Sequence, residues 1–123
     1  MLFRSGSRHY IHAADVADAL MFLLDYKSFD KLELDYGGAK CQKFNIVGAE
    51  ELDNLELAKI IADAQNKDLF YEMVDFHSQR PGHDLRYALD GSKMKSMGWT
   101  PQPVRDRLEQ VINWSLENDR WLM

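Results

Sequence analysis

Gln79-Arg80-Pro81-Gly82-His83-Asp84-Leu85-Arg86-Tyr87-Ala88-Leu89-Asp90 is the most informative run in this chain. Pro81 and Gly82 suit positions i+1 and i+2 of a type II turn, because proline presets φ and glycine accepts a positive one. Such a turn holds Arg80 and His83 on its two shoulders, with Arg86 just beyond. A guanidinium meets phosphate oxygens in a bidentate fork, so cations on a tight turn can grip a phosphate. Taken by themselves, these residues fit a solvated turn with surface charges better. After the turn, Arg86 to Leu89 reads as a short strand. Asp90 then caps a short helix, and Gly98 supplies its left-handed stop.

The same alternation continues outward. Towards the C-terminus, Pro101 and Pro103 restart the chain. Val104, Leu108, Val111, Ile112 and Ser115 form the stripe of a last helix. Towards the N-terminus, Leu69 to Val74 reads as a strand. Before it, Asp53 and Glu56 have the spacing of a capping box, and Leu52 and Leu57 that of a hydrophobic staple. Leu57, Ile60, Ile61 and Ala64 then mark a helix. Gln42 to Val47 reads as a strand ended by Gly48, with Phe44 and Ile46 on one face and Asn45 on the other. Residues 25–40 are polar and irregular around Gly37-Gly38. Arg8 to His12 reads as the first strand. Val16, Leu20, Leu23 and Leu24 set the face of the helix after it, with Asp15 and Asp18 near its positive end. The predicted class is therefore α/β, a small sheet of short strands packed with about four helices.

Size and charge narrow the function. A chain of 123 residues is the size of one domain, so residues 1–123 are read as a single unit. It is too short for both a dinucleotide-binding sheet and a substrate domain. The 46% hydrophobic content supplies a core without disulfide staples. The net charge of −5 argues against a nucleic-acid partner. The single cysteine, Cys41, allows no intrachain disulfide and fits a reducing, cytoplasmic setting. The longest apolar run, Ala19 to Leu24, is far below the roughly 20 residues of a membrane span. The N-terminal residues have no stretch of signal-peptide length.

Other chemistries find little support. The seven glycines form no Gly-x-Gly-x-x-Gly, so no NAD site is read and no cofactor is expected in this chain. Tyr36 and Lys40 have the Tyr-x-x-x-Lys spacing of a dehydrogenase pair, but Gly37-Gly38-Ala39 between them favour a loop. His9, His12, His77 and His83 form no metal-ligand pattern with Cys41. No base lies near Cys41 to activate its thiol. Trp99, Trp114 and Trp121 are read as packing residues.

Three ordered stretches together resemble one family. Arg8-His9-Tyr10-Ile11-His12-Ala13-Ala14-Asp15-Val16-Ala17 is similar to a segment of the extended short-chain dehydrogenases that act on nucleotide sugars. Phe44-Asn45-Ile46-Val47-Gly48 resembles their Tyr-Asn-Ile-Gly-Gly strand end. Arg80-Pro81-Gly82-His83-Asp84-Leu85-Arg86-Tyr87-Ala88-Leu89-Asp90 resembles a signature of the dTDP-glucose 4,6-dehydratase branch. Lys93 and Met97-Gly98-Trp99-Thr100-Pro101 continue it. The departures are His9 where the family usually has an acid, Val47 for a glycine, Gln79 for an aspartate, and a longer loop over 28–40.

The resemblance covers the chain from Arg8 onward and matches the C-terminal, substrate-binding part of such an enzyme. It implies that Arg8 and Arg80 neutralise a sugar-nucleotide diphosphate. By the same resemblance Asn45 hydrogen-bonds nearby, His83 closes the site, and Gln79, Pro81 and Gly82 shape the loop. The whole enzyme would use NAD for hydride transfer, but the NAD-binding fold and its Tyr-x-x-x-Lys helix precede this region. No catalytic residue is therefore expected here. Alternatives are a non-catalytic module that completes a separate Rossmann subunit or self-associates, or part of a related 4-epimerase.

Overall fold

A computed structural model gives the fold; it describes residues 2–3, 6–26, 42–74, 86–118 and 120. Strands β1 (Leu2–Phe3), β2 (Ser7–His9), β3 (Glu51–Asp53), β4 (Met73–Val74) and β5 (Arg86–Tyr87) alternate with helices α1 (Ala13–Asp25), α2 (Asn54–Ala64), α3 (Ser92–Ser96) and α4 (Val104–Glu117). The α/β class and the small sheet are as the alternation predicts.

β2 is the middle strand of a three-stranded sheet, order β3-β2-β5. It pairs antiparallel with β3, Arg8 opposite Leu52, and parallel with β5, Arg8 opposite Tyr87. A separate parallel pair joins β1 to β4. β2, β4 and β5 are each shorter than the sequence pattern predicts, while β1 and β3 arise where no strand is predicted. β2 ends at His9, because His12 turns out of the sheet to cap α1, where its Nδ1 accepts the Ala14 N–H at 3.0 Å. β4 keeps only Met73 and Val74, with Phe70 exposed ahead of it.

The segment 42–48 departs from expectation in a different way. Phe44 and Ile46 pack against the core while Asn45 is exposed, the alternation of a strand. Yet the segment joins neither sheet among the described residues. It is held by side chains instead. Lys93 Nζ donates to Gln42 Oε1 at 2.9 Å and to the Lys43 carbonyl at 3.0 Å, and sits 4.3 Å from the centre of the Phe44 ring. Gly48 ends the segment tight against β2, where a Cβ would lie 2.0 Å from the Tyr10 carbonyl oxygen.

Local chemistry starts α2 and α3, whereas the first N–H of α4, that of Val104, donates to the distant Glu50 Oε2 at 3.2 Å. The Glu56 N–H donates to Asp53 Oδ1 at 2.7 Å, and the Asp53 N–H donates to Glu56 Oε2 at 3.0 Å, completing the capping box. The Ser92 N–H donates to Asp90 Oδ1 at 2.8 Å at the start of α3. That contact and its hydroxyl partner hold the Asp90 carboxyl below its usual pKa. Gly98, at φ +103°, ends the turn after α3.

The core forms where α1, α3 and the 42–48 segment meet. Ala19, Met94 and Trp99 are buried, with Ile11, Phe22, Leu23, Phe44 and Ile46 around them. The Trp99 indole N–H donates to Asp18 Oδ2 at 2.8 Å. On the other side α2 lies against α4, with Ile60, Val104 and Ile112 buried.

Two sequence expectations are corrected here. The inward face of α1 is Asp15, Ala19, Phe22 and Leu23; of the predicted stripe Leu23 lies on it and Val16 is half-buried, but Leu20 and Leu24 are exposed. Small Ala19 lets the helix approach Met94 and Trp99, and Asp15 is drawn inward by Arg107. Trp114 packs less than expected and is half exposed, whereas Trp99 is core. Tyr36, Lys40, Cys41, His77 and Trp121 lie outside the described residues.

Candidate functional site

Three segments remote in sequence meet along one edge of β2. These are β2 itself, residues 45–49 and residues 86–91. Sheet pairing brings Tyr87 beside Arg8. The close approach of Gly48 to Tyr10 brings 45–47 in from the other direction. An amide–carbonyl bond fastens them, as Asn45 Nδ2 donates to the Asp90 carbonyl at 3.0 Å.

Between them lies a cleft of about 340 Å³ walled by Arg8, Ile46, Arg86 and Tyr87. It adjoins a hollow of about 280 Å³ that includes Asn45, Gly91, Lys95 and Trp99. The two share His9, Val47 and Leu89. Arg8 and Asn45 thus line adjoining parts of one depression. Gln79, Arg80, Pro81, Gly82 and His83 lie outside the described residues.

The Arg8 guanidinium stacks over the Tyr87 ring, 4.2 Å from its centre, and Nη1 donates to the Ser7 carbonyl at 2.6 Å. Stacking on an aromatic face fixes the plane of the guanidinium.

Arg86 is used differently from the cationic site the sequence evokes. Its Nε and Nη2 donate to Glu51 Oε1 and Oε2, each at 2.6 Å. The Ser7 hydroxyl adds a third bond to Glu51 Oε1, also 2.6 Å. These donors, Arg86 first, lower the Glu51 pKa from 4.5 to about 2. Glu51 in turn raises that of Arg86. The fork of Arg86 therefore serves the sheet by tying β5 to β3 across β2. His9 Nδ1 lies 3.3 Å from the Gly48 carbonyl, and its Nε2 lies 4.0 Å from Glu51 Oε2. Among the described residues, no group of His, Cys, Asp or Glu is placed to hold a metal ion.

The depression offers a fixed cation, an amide, an exposed lysine and apolar walls. That combination suits a ligand with an anionic centre and a flat or apolar flank. Sequence reasoning missed Glu51 as the partner of Arg86 and Tyr87 as the platform under Arg8. Neither has a local signature, because both contacts arise from strand pairing. It also missed the buried ion pair behind the site. Arg107 Nη2 donates to Asp15 Oδ1 at 2.6 Å, and its Nε lies 3.0 and 3.1 Å from the two Asp15 oxygens. Spacing offered a signal for the burial of Asp15 alone, which stands at i to Ala19, Phe22 and Leu23 at i+4, i+7 and i+8, and none for Arg107.

A scan against protein-family models finds no match. Among curated proteins, the chain is 36% identical over 95 residues to the dTDP-glucose 4,6-dehydratase of Escherichia coli, covering 68% of this chain and 26% of that enzyme. It is 32% identical over 115 residues to GDP-L-fucose synthase 1 of Arabidopsis thaliana, covering 93% and 31%. The crystal structure of dTDP-glucose 4,6-dehydratase from Bacillus anthracis str. Ames in complex with NAD superposes with a TM-score of 0.72 at 26% identity. That match covers 98% of this chain and 35% of the other. The chain thus spans between 26% and 35% of these relatives' lengths. Its homologues are the dTDP-glucose 4,6-dehydratases and GDP-L-fucose synthases, and it fits one part of the extended short-chain dehydrogenase fold.

Proposed function

We propose that residues 1–123 are the nucleotide-sugar-binding part of a dTDP-glucose 4,6-dehydratase-like enzyme. The observation that carries this reading is the meeting of β2, 45–49 and 86–91 around one cleft with Arg8 stacked in its wall. In this reading Arg8 and Arg80 neutralise the diphosphate, Asn45 hydrogen-bonds beside it, and His83 closes the site. Gln79, Pro81 and Gly82 shape the turn that carries Arg80.

The residues that support this reading include no glycine turn of the kind that holds a dinucleotide. No Gly-x-Gly-x-x-Gly is present. β2 enters α1 through Tyr10-Ile11-His12, and β3 runs directly into α2, so neither junction has the glycine turn a pyrophosphate needs. The contribution proposed for this chain is therefore binding and orientation of the sugar nucleotide, in a reducing, cytoplasmic setting.

Calorimetric titration with dTDP-glucose tests the reading. Binding in the micromolar to millimolar range is the expected result; no heat at millimolar ligand overturns it. Arg80→Ala should weaken binding by about 1.5–3 kcal/mol, the usual worth of a hydrogen bond to a charged group. An unchanged affinity removes Arg80 from the site. GDP-, UDP- and CDP-sugars in the same assay identify the base. A second reading, an assembly module that completes a Rossmann subunit, is favoured by the apolar outer face of α1.

A further inference from the structure

A second cavity lies where the start of α1 meets α4. It has a volume of about 160 Å³ and shares only Gly48 with the cleft and its adjoining hollow. Ile11, Val104, Leu108 and Val111 give it apolar walls, and His12, Asp15 and Arg107 supply polar groups. A cavity of about 150 Å³ with aliphatic walls holds one benzene ring, so this space fits a single six-membered ring. A further hollow of about 370 Å³ shares His12 and Val111 with it and includes Gln110 and the half-exposed Trp114.

Two side chains bring spare donors to this cavity. The Ala14 N–H donates to His12 Nδ1 at 3.0 Å, so Nδ1 carries no hydrogen and Nε2 carries the one on the ring. Nε2 has no hydrogen-bond partner among the described residues. Arg107 commits Nε and Nη2 to Asp15 and Nη1 to Gln110 Oε1. One N–H on each terminal nitrogen is then without a partner among the described residues. The charge of this cation, in contrast, is already matched. Asp15 Oδ1 lies 2.6 Å from Nη2, so the pair as a whole is neutral. A carboxylate entering here would lose its water to apolar walls and meet the Asp15 charge at close range, with no net positive charge to offset either. A neutral amide or ketone oxygen meets the same donors without that cost.

We propose that this cavity is a binding site for a small neutral aromatic molecule that carries a hydrogen-bond acceptor. The ring lies among Ile11, Leu108 and Val111. The acceptor takes the His12 Nε2 hydrogen, with Arg107 as a second donor on the same wall. The site is separate from the nucleotide-sugar cleft, so it stands or falls independently of the function proposed above.

Benzamide is the probe, titrated into the full 123-residue protein and followed on the methyl and imidazole resonances. Saturable shifts at Ile11, Leu108, Val111 and His12, with a Kd in the millimolar range or below, are expected. Benzoate, the same ring with an anionic acceptor, should bind at least tenfold more weakly. Val111→Trp, at a position 40% exposed and common to both hollows, fills the space with an indole and should abolish saturation. His12→Asn keeps a good N-cap acceptor but removes the Nε2 donor, and should weaken benzamide at least threefold. Far-UV circular dichroism of both variants confirms the fold; should Val111→Trp not fold, His12→Asn carries the test. The proposal is overturned if wild-type protein shows no saturable shift at the solubility limit of benzamide. Affinity unchanged in the folded variants overturns it by placing the probe elsewhere. Tighter binding of benzoate overturns the neutral class of ligand. Displacement of benzamide by dTDP-glucose places the probe in the cleft and also overturns the proposal.

Discussion

Asp15 is buried to 3% exposure and carries a carboxylate. The Arg107 guanidinium stands against it and has its own pKa raised by that bond. Removing one member of such a pair strands the other, which costs about 3–5 kcal/mol. Asp15→Asn and Arg107→Gln should each lower the urea-unfolding free energy by that order. Replacing both with Leu and Met should cost much less. A loss under about 1 kcal/mol for the single variants would show that water already reaches the pair. Local rules read Asp15 as a helix-dipole charge. Arg107 is 92 residues away, so spacing along one helix had no means of revealing the partner.

The elements show the same division between local and distant causes. The Asp53–Glu56 box and the Gly98 stop lie within a few residues, and both formed as spaced. The 42–47 strand and the Leu20–Leu24 face depend on neighbours, and both turned out differently. Gly48 shows how tight one such approach is. A methyl there would sit 2.0 Å from the Tyr10 carbonyl oxygen, so Gly48→Ala must push the segment away from β2. A stability loss of about 1–3 kcal/mol is expected from overpacking of this kind, read as a lower thermal midpoint; an unchanged midpoint would place the two backbones farther apart. Between strands, Glu51 links β3 to Ser7 on β2 and Arg86 on β5. Its folded pKa is lowered to about 2 from 4.5. Its contribution is therefore present above pH 4.5 and is lost as pH falls from there through about 2. Urea midpoints measured across that window should fall less steeply in Glu51→Gln than in the wild type. Parallel profiles would show that the bridge does not persist in solution.

For the whole molecule, the cleft was legible only in part. Residues 8, 45 and 87 are far apart in sequence, and periodicity said nothing of their meeting. The family resemblance anticipated that Arg8 and Asn45 share a region, and they line adjoining walls of one depression. It did not anticipate that Asn45 would tie two segments together or that Arg86 would be committed to Glu51. Residues 79–83 lie outside the described residues, so the placement of Arg80 and His83 beside Arg8 is the point on which the functional proposal turns. The most direct test is a dTDP-glucose titration followed on the backbone and side-chain amide resonances of the full chain. The account predicts progressive shifts at Arg8, Asn45 and Tyr87 together with Arg80, Gly82 and His83, and little change along α2. Shifts confined to other surfaces, or none at millimolar ligand, would contradict it.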